Sequence, residues 1–420
     1  MELKRVVITG IGTINPLGDN IRDYFENLDK GLSGAGMITR FDTSLFKTKF
    51  ACEIKNYNPG KYGIDRKEER KLDFYTQFAL IAAEQAIKDS GLTPETANPE
   101  RVGVILGSGI GGITTLFNEV EGYFEGGKIP RFSPFIIPKM IPDIAPGIIS
   151  MKYGFRGPNY ATVSACASST HAMIDALTHL KLGRADIIVT GGSEAGISVP
   201  SIGGFNSAQA ISTNNEEYMT ASRPFDKTRD GFVMGEGSGI LIFEEYEHAK
   251  ARGAKIYCEV AGGGMTADAY HITAPHPDGL GAVNVMKLAL KDAGMSIEDI
   301  DYINVHGTST PLGDTAELKA VKNLFGEYAY KLNISATKSM TGHLLGATGA
   351  IEALACLHAI VDSIIPPTIN FKVEDPEIDY NLNLTLNKAQ KREVRAALNN
   401  TFGFGGHNSS LVLRKIQEKR

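Results

Sequence analysis

The sequence predicts an α/β protein made of two copies of one unit, and three observations carry that reading. First, short apolar runs ending in glycine recur, as buried parallel strands do: Arg5-Val-Val-Ile-Thr-Gly-Ile-Gly, Arg101-Val-Gly-Val-Ile-Leu-Gly-Ser and Ala185-Asp-Ile-Ile-Val-Thr-Gly-Gly. Second, stretches with helical spacing of apolar residues alternate with these runs. Third, the later part of the chain repeats the earlier. Ala86-Ile-Lys-Asp-Ser-Gly-Leu matches Ala289-Leu-Lys-Asp-Ala-Gly-Met, and Ile174-Asp-Ala-Leu matches Ile351-Glu-Ala-Leu. A period this long is not that of a solenoid. It fits a duplicated, two-fold-related fold whose reactive groups meet between the halves.

Taken in order, the strand from Arg5 is followed by a helix over 19–32 and an irregular stretch over 33–65. Arg66-Lys-Glu-Glu-Arg-Lys71 opens a long helix that runs through Lys88 and is closed by Asp89-Ser-Gly91. The strand Val102 to Leu106 follows. Residues 122–150, rich in Pro, Gly and Ile, read as an excursion over a pocket or subunit interface. The run Ala161-Thr-Val-Ser-Ala-Cys166 then turns into a helix in which Ile174, Leu177 and Leu180 recur. Residues 206–231 form a polar loop region, Gly239-Ile-Leu-Ile-Phe a core strand, and Ala249 marks a helix. The boundary between halves is placed at Ile256, so that 1–255 carries the notable Cys and 256–415 the notable His residues. Tyr302 to Val305 is the second-half strand that answers Val102 to Leu106.

Composition bounds the function. The chain has 420 residues, 42% hydrophobic and 22% charged, with a net charge of −5 and a pI near 6.0. No global basic field exists for nucleic acid, so any acidic partner must be met by a local patch. The four cysteines, at 52, 166, 258 and 356, show neither C-x-x-C nor zinc spacing. Reduced thiols in a cytoplasmic protein are the expectation. The chain opens on Met-Glu-Leu-Lys-Arg and then a strand, with no signal segment. The apolar stretch 344–365 is interrupted by Glu352, His358 and Asp362, and reads as a buried helix rather than a membrane span.

Four motifs carry chemistry. Cys166 sits among small residues at a strand-to-helix turn, with Ser164 as candidate N-cap. That places the thiol in the first turn, where unpaired N–H groups and the helix dipole favour a thiolate. A buried cysteine packed as a small hydrophobe is the plain alternative. The second-half repeat puts His343 opposite Cys166, at a helix start where an imidazole stays neutral. His306 ends a strand in His306-Gly-Thr-Ser-Thr310-Pro. Two neutral imidazoles donate N–H to a carbonyl oxygen that gains charge, and their spacing gives no reason to invoke a metal. Asn400-Thr-Phe-Gly403-Phe404-Gly405-Gly406 is either a tight turn before the last strand or a gate exposing a backbone N–H. Gly107-Ser-Gly-Ile110-Gly-Gly112 formally matches G-x-G-x-x-G. A dinucleotide site wants an acidic residue closing the next strand about 20 residues on, but Glu119 and Glu121 fall in a helix-like segment, so these glycines read as a pocket wall with Ile110 pointing in.

With Thr162-Val-Ser-Ala-Cys166-Ala, His306-Gly-Thr-Ser-Thr-Pro, Lys338-Ser-Met-Thr-Gly-His343 and Gly403-Phe-Gly-Gly406 in this order, the chain resembles the β-ketoacyl-(acyl carrier protein) synthases over residues 3 to 415. The likeness is greatest to synthase II, the elongating acyltransferase of bacterial-type fatty acid synthesis. Ser222-Arg-Pro-Phe-Asp-Lys-Thr-Arg-Asp-Gly and Asp268-Ala-Tyr-His-Ile-Thr-Ala-Pro also resemble this family. The likeness implies a thiolase-like five-layered α-β-α-β-α fold, a homodimer, and chemistry that uses no metal or organic cofactor; composition adds the expectation of a cytoplasmic protein without nucleic-acid or membrane partners. It implies that Cys166 is the nucleophile, that His306 and His343 handle malonyl, and that Lys338 supports His343. It makes Phe404 the gate, with its N–H and that of Cys166 as the oxyanion hole. Thr308 and Thr310 would contact the phosphopantetheine arm, with Gly403 and Gly405 lining the substrate. Asp314 and Glu352 would stand behind the reacting groups. The partner is acyl carrier protein, acyl- and malonyl-loaded, and Lys67, Arg70 and Lys71 are its expected docking patch, followed by Lys128 and Arg131. Glu68, Glu69 and Asp73 interleave with the first three, so a solvated helix start reads equally well.

The chain departs from synthase II at Ala167-Ser-Ser-Thr-His171, where Ala-Thr-Gly-Thr-Asn is usual; its Ser and His resemble synthase I and bear on chain length rather than reaction. A polyketide ketosynthase shares the chemistry. A degradative thiolase needs a second cysteine where this chain has His407. A non-catalytic chain-length partner should lack Cys166.

Overall fold

The computed structural model of the chain describes residues 3–93 and 95–417. The first half contributes β1 (Val6–Ile14), β2 (Val102–Gly107), β3 (Asn159–Thr162), β4 (Ile187–Glu194) and β5 (Gly237–Glu245). The second contributes β6 (Cys258–Ala267), β7 (Tyr302–Asn304), β8 (Asn333–Ser335), β9 (Ala396–Gly403) and β10 (His407–Arg414). Each half arranges its strands identically, β1-β5-β4-β2-β3 and β6-β10-β9-β7-β8. In each, the first three neighbours pair antiparallel and the last three parallel. The duplication read from short sequence matches is therefore a duplication of topology. The halves join where β1 meets β6, through the pairs Val7↔Glu259 and Ile8↔Cys258.

Five helices organise the layers: α1 (Phe74–Ser90), α2 (Ser168–Lys181), α3 (Leu280–Ala293), α4 (Pro311–Phe325) and α5 (Thr348–Asp362). The ten strands run as one sheet, and helices α2 and α5 pack on each other and touch strands of both halves, whereas α1 packs on first-half strands and α3 on second-half strands. The buried clusters follow these layers. Met173, Ile174, Leu177, Ile351, Leu354 and Leu357 meet Leu241, Phe243, Leu411 and Leu413 in the middle. Separate clusters lie under α1 and under α3 with α4. The apolar stretch noted above is α5. It is buried nearly all round because strands of both halves pack against it, the pattern of an enclosed helix.

Two elements differ from expectation. The helix foreseen from Arg66 is broken: a single turn spans Arg66–Glu69, and α1 starts afresh at Phe74. Asp73 caps the new helix: its carboxylate accepts from the Tyr75 N–H and from Thr115. The excursion over 122–150 is also more regular than its composition suggested, with helices Ile113–Glu125, Ile136–Met140 and Ile144–Tyr153. Ile149 and Ala145 bury into the cluster under α1. Leu116, Val120 and Phe124 remain exposed, by 40%, 40% and 59%.

Candidate active site

The turn between β3 and α2 is an elbow. Ala165 has φ +50, in the left-handed region that a residue with a Cβ occupies at a cost. Hydrogen bonds hold it there: Ser168 Oγ donates to Ala165 O at 2.7 Å and accepts from Ser164 N at 2.9 Å, and Ala167 N donates to Ser164 O at 3.1 Å. The register that aligns Ile174 with Ile351 aligns Ala165 with Gly342, whose φ is +70, and Cys166 with His343. Both copies thus present the reactive residue immediately after a left-handed one.

This geometry corrects three expectations. Ser164 is not the N-cap of α2, because its hydroxyl turns to His171 and the cap position is Ala167. Cys166 precedes the helix instead of sitting in its first turn. His343 likewise lies between the helix Lys338–Thr341 and the turn Leu345–Ala347. The thiolate expectation falls with them. Burial pushes the Cys166 thiol up to about 11, against the opposing pull of the Lys338 charge and of the N–H groups of Phe404 and Cys166. Two N–H groups and a neighbouring cation offset only part of the desolvation, so the free protein holds a thiol at neutral pH. Cys52, Cys258 and Cys356 are buried and Cys166 alone reaches the cavity. Iodoacetamide modification at Cys166, followed by intact mass, should therefore accelerate about tenfold per pH unit between about pH 7 and 9. A plateau near neutrality would show that the thiolate is stabilised after all.

The two imidazoles converge on the sulfur. His343 Nε2 lies 3.1 Å from Cys166 Sγ. The His306 and His343 rings meet edge-on, 5.3 Å apart at 86°. Burial and the Lys338 charge drive both imidazoles well below their ordinary pKa, so both are neutral. The Leu345 N–H donates to His343 Nδ1 at 3.2 Å, and Thr348 Oγ1 lies 2.9 Å from the same nitrogen. With Nδ1 accepting, the neutral ring carries its proton on Nε2 and aims that N–H at the sulfur and the cavity. One ligating atom each from Cys166, His306 and His343 fall within 4.8 Å of one another. The cluster resembles a metal site in spacing, but a protonated Nε2 has no lone pair for a metal, and the donor set fits hydrogen-bond donation instead.

The supports of this cluster lie one layer back. Lys338 is 1% exposed and donates to Glu352 Oε1 at 2.6 Å. Burial raises the Glu352 carboxyl, to about 8, and the ammonium opposes that rise. Asp314 accepts from the N–H groups of Phe225 and Ser309 at 3.1 Å and faces Arg229 at 3.3 Å. It thereby ties the 222–230 segment, read as a polar loop, into the interior beside Thr308 and Thr310. Sequence reading missed two further carboxylates. Glu317 accepts from His306 N and Gly307 N, each at 2.9 Å, and sets the strand end that carries His306. Glu194 accepts from the N–H groups of Gly109, Ile110, Gly111 and Gly346 at 2.6, 3.2, 3.3 and 2.9 Å. Those are the N–H groups that a phosphate would need, so the glycine loop is closed to a dinucleotide. The one sequence signal for Glu194 was an acidic residue ending an apolar strand just after Gly191-Gly192.

Cys166, His306 and His343 open onto a cavity of about 570 Å3 between the halves. Ile110, Phe205, Phe232 and Phe402 form apolar walls, and Thr308, Thr310, Gly403 and Phe404 flank the reacting atoms. Gly403 is confined: a Cβ there would come 3.0 Å from Cys166 N. Gly405, at φ +87, does not line the cavity; its N–H donates to Ile272 O at 2.7 Å and ties the hinge to the 268–276 loop. Lys67, Arg70 and Lys71 are exposed on the turn before α1 and away from the cavity wall, with Lys71 over the Phe135 ring. Lys128 and Arg131 are also exposed.

Family models extend over most of this framework, up to residue 372. The β-ketoacyl synthase N-terminal domain matches residues 3–249 and its C-terminal domain residues 257–372. The chain belongs to the β-ketoacyl synthase family. It is a condensing enzyme of the acyltransferase class, and its fold is the thiolase-like arrangement expected. The chain is 48% identical to the 3-oxoacyl-[acyl-carrier-protein] synthase 2 of Staphylococcus aureus strain COL, over 99% of each chain. The synthase 2 of Synechocystis sp. is likewise 48% identical, over 99% of each. Among solved structures, a β-ketoacyl synthase from Burkholderia phymatum STM815 superposes with a TM-score of 0.91, at 33% identity over 99% of this chain and all of that one. A type II polyketide ketosynthase in complex with its acyl-carrier protein superposes with a TM-score of 0.88, at 34% identity over 99% and 100%.

Proposed function

We propose that this synthase elongates acyl chains on acyl carrier protein in fatty acid synthesis, by decarboxylative condensation with malonyl carrier protein. The observation that carries the proposal is the approach of one thiol to two neutral imidazoles in an apolar cavity. Cys166 attacks the acyl thioester, its proton leaves with the released carrier thiol, and the acyl group remains on sulfur. The N–H groups of Cys166 and Phe404, both near that sulfur, are suited to hold the tetrahedral oxyanion. Malonyl carrier protein then loses CO2, and its thioester oxygen gains the charge. His306 and His343 donate N–H to that oxygen. The carbanion attacks the acyl-cysteine, giving a 3-oxoacyl product two carbons longer and returning the sulfur, which takes a proton from water. Loss of CO2 removes the need for a strong base, in keeping with a site whose imidazoles are neutral and whose Lys338 is engaged with Glu352. Intact-mass measurement after incubation with acyl carrier proteins of several chain lengths tests this reading. A mass increment of one acyl group on Cys166 is expected; no increment from any donor would overturn it.

The halves, 1–255 and 256–415, act as one unit because the nucleophile comes from the first and both imidazoles from the second. We also propose a cytoplasmic homodimer. The edge strand β3 and the exposed Leu116, Val120, Phe124 and Val163 support it, since an unpaired apolar edge recruits a partner. The carrier is assigned to the basic turn at Lys67, Arg70 and Lys71. Reversing charge at Lys67 and Arg70 should raise KM for carrier-bound substrates about tenfold at low salt and leave short acyl-CoA thioesters nearly unaffected. Equal changes in both would remove the patch from the proposal. A polyketide role would use the same residues, and the set of chain lengths loaded on Cys166 separates the two pathways.

A further inference from the structure

We propose that His171 is a positioning residue that ties the elbow carrying Cys166 to the glycine hinge, so that the hinge's position sets where the sulfur sits. The proposal rests on the reading of Cys166 as nucleophile. His171 is the fourth residue of α2, and its N–H donates to Ala167 O at 2.9 Å. Its Nδ1 lies 2.7 Å from Ser164 Oγ. Ser164 stands two residues before Cys166, and its backbone groups are already engaged with Ser168 Oγ and Ala167 N. The hydroxyl is left to His171.

The other side of the ring faces the hinge. His171 and His407 meet edge-on with centroids 6.4 Å apart at 86°. His407 opens β10 directly after the hinge, and a Cβ on Gly405 would fall 2.9 Å from its Nε2. Hinge and elbow also touch through their backbones: a Cβ on Gly403 would lie 3.1 Å from Ser164 O. The Nε2 of His171 is shut off from solvent and has no hydrogen-bond partner among the described residues. Burial pushes the pKa of this ring down, and the backbone of Asn408, next to His407 in β10, opposes that. His171 does not line the cavity, so it acts on the reaction through Ser164 and the elbow.

The test compares His171→Phe, which keeps a ring without nitrogens, with Ser164→Ala, the double variant and His171→Asn, whose amide restores a partner for Ser164. Two rates are read: alkylation of Cys166 by iodoacetamide, and acylation by acyl carrier protein with its KM and kcat. His171→Phe and Ser164→Ala should each slow both rates about five- to tenfold, the effect of one lost buried hydrogen bond. KM for the carrier should hold, the double variant should be no slower than either single one, and His171→Asn should recover most of the rate. Effects that multiply in the double variant, or a normal alkylation rate in Ser164→Ala, overturn the proposal, the latter even if His171→Phe fails to fold. Alkylation needs no carrier, so a wild-type protein that alkylates but is never acylated overturns the proposed function and leaves the tie itself measurable.

Discussion

Cys166→Ala should abolish acyl loading and leave decarboxylation of malonyl carrier protein measurable. The loading step needs the sulfur itself, and among the described residues no second cysteine reaches the cavity: the other three are buried elsewhere. Overall condensation should fall by at least about 10⁴-fold, the scale seen when a covalent nucleophile is removed. Decarboxylation asks only for donors at the thioester oxygen, and His306 and His343 are untouched by the substitution. The loss of a small side chain from a cavity wall should shift Tm little. Intact mass with acyl carrier protein reads the first effect, and CO2 release from malonyl carrier protein reads the second. An acyl adduct on the variant, or decarboxylation lost together with loading, would divide the roles differently.

His343→Ala should reverse that pattern, retaining acylation of Cys166 and losing condensation. The Nε2–H is a preorganised donor because the Leu345 N–H holds Nδ1 as acceptor. Removing one such donor costs about 3 kcal/mol of transition-state stabilisation, roughly 10²- to 10³-fold in rate. His306→Ala should act in the same step. A double variant much less than multiplicatively worse would mark the two imidazoles as one unit. His343 is 2% exposed, so the cavity left by alanine should also lower Tm. Single-turnover experiments with pre-acylated enzyme isolate the chemical step from that destabilisation. Normal condensation by a folded His343→Ala protein would remove His343 from the mechanism.

The pair of experiments turns on a division visible in the chain before folding. Cys166, His306 and His343 were singled out because each stands in a small-residue turn, and the internal repeat set Cys166 against His343. That register survives in the fold through the left-handed residues Ala165 and Gly342. The strands ending in glycine, the enclosed helix α5 and the duplicated topology were legible for the same reason: hydrophobic periodicity and turn chemistry are local properties. Glu194, Glu317 and Arg229 were not legible. Their partners lie on other elements, Gly109 and Gly346 for Glu194, the end of β7 for Glu317 and Asp375 for Arg229, and nothing near a lone charged residue announces which groups it will meet.

By itself the sequence determined the α/β class, the two matching units and the three residue types that meet between them, because spacing and local turns encode those features. Only the tertiary structure decided the ionisation of the site. The start of α2 was expected to make Cys166 a thiolate. Enclosure instead raises the thiol, keeps both imidazoles neutral and places Lys338 against Glu352, and enclosure is a property of residues brought from both halves, which no local stretch of chain contains.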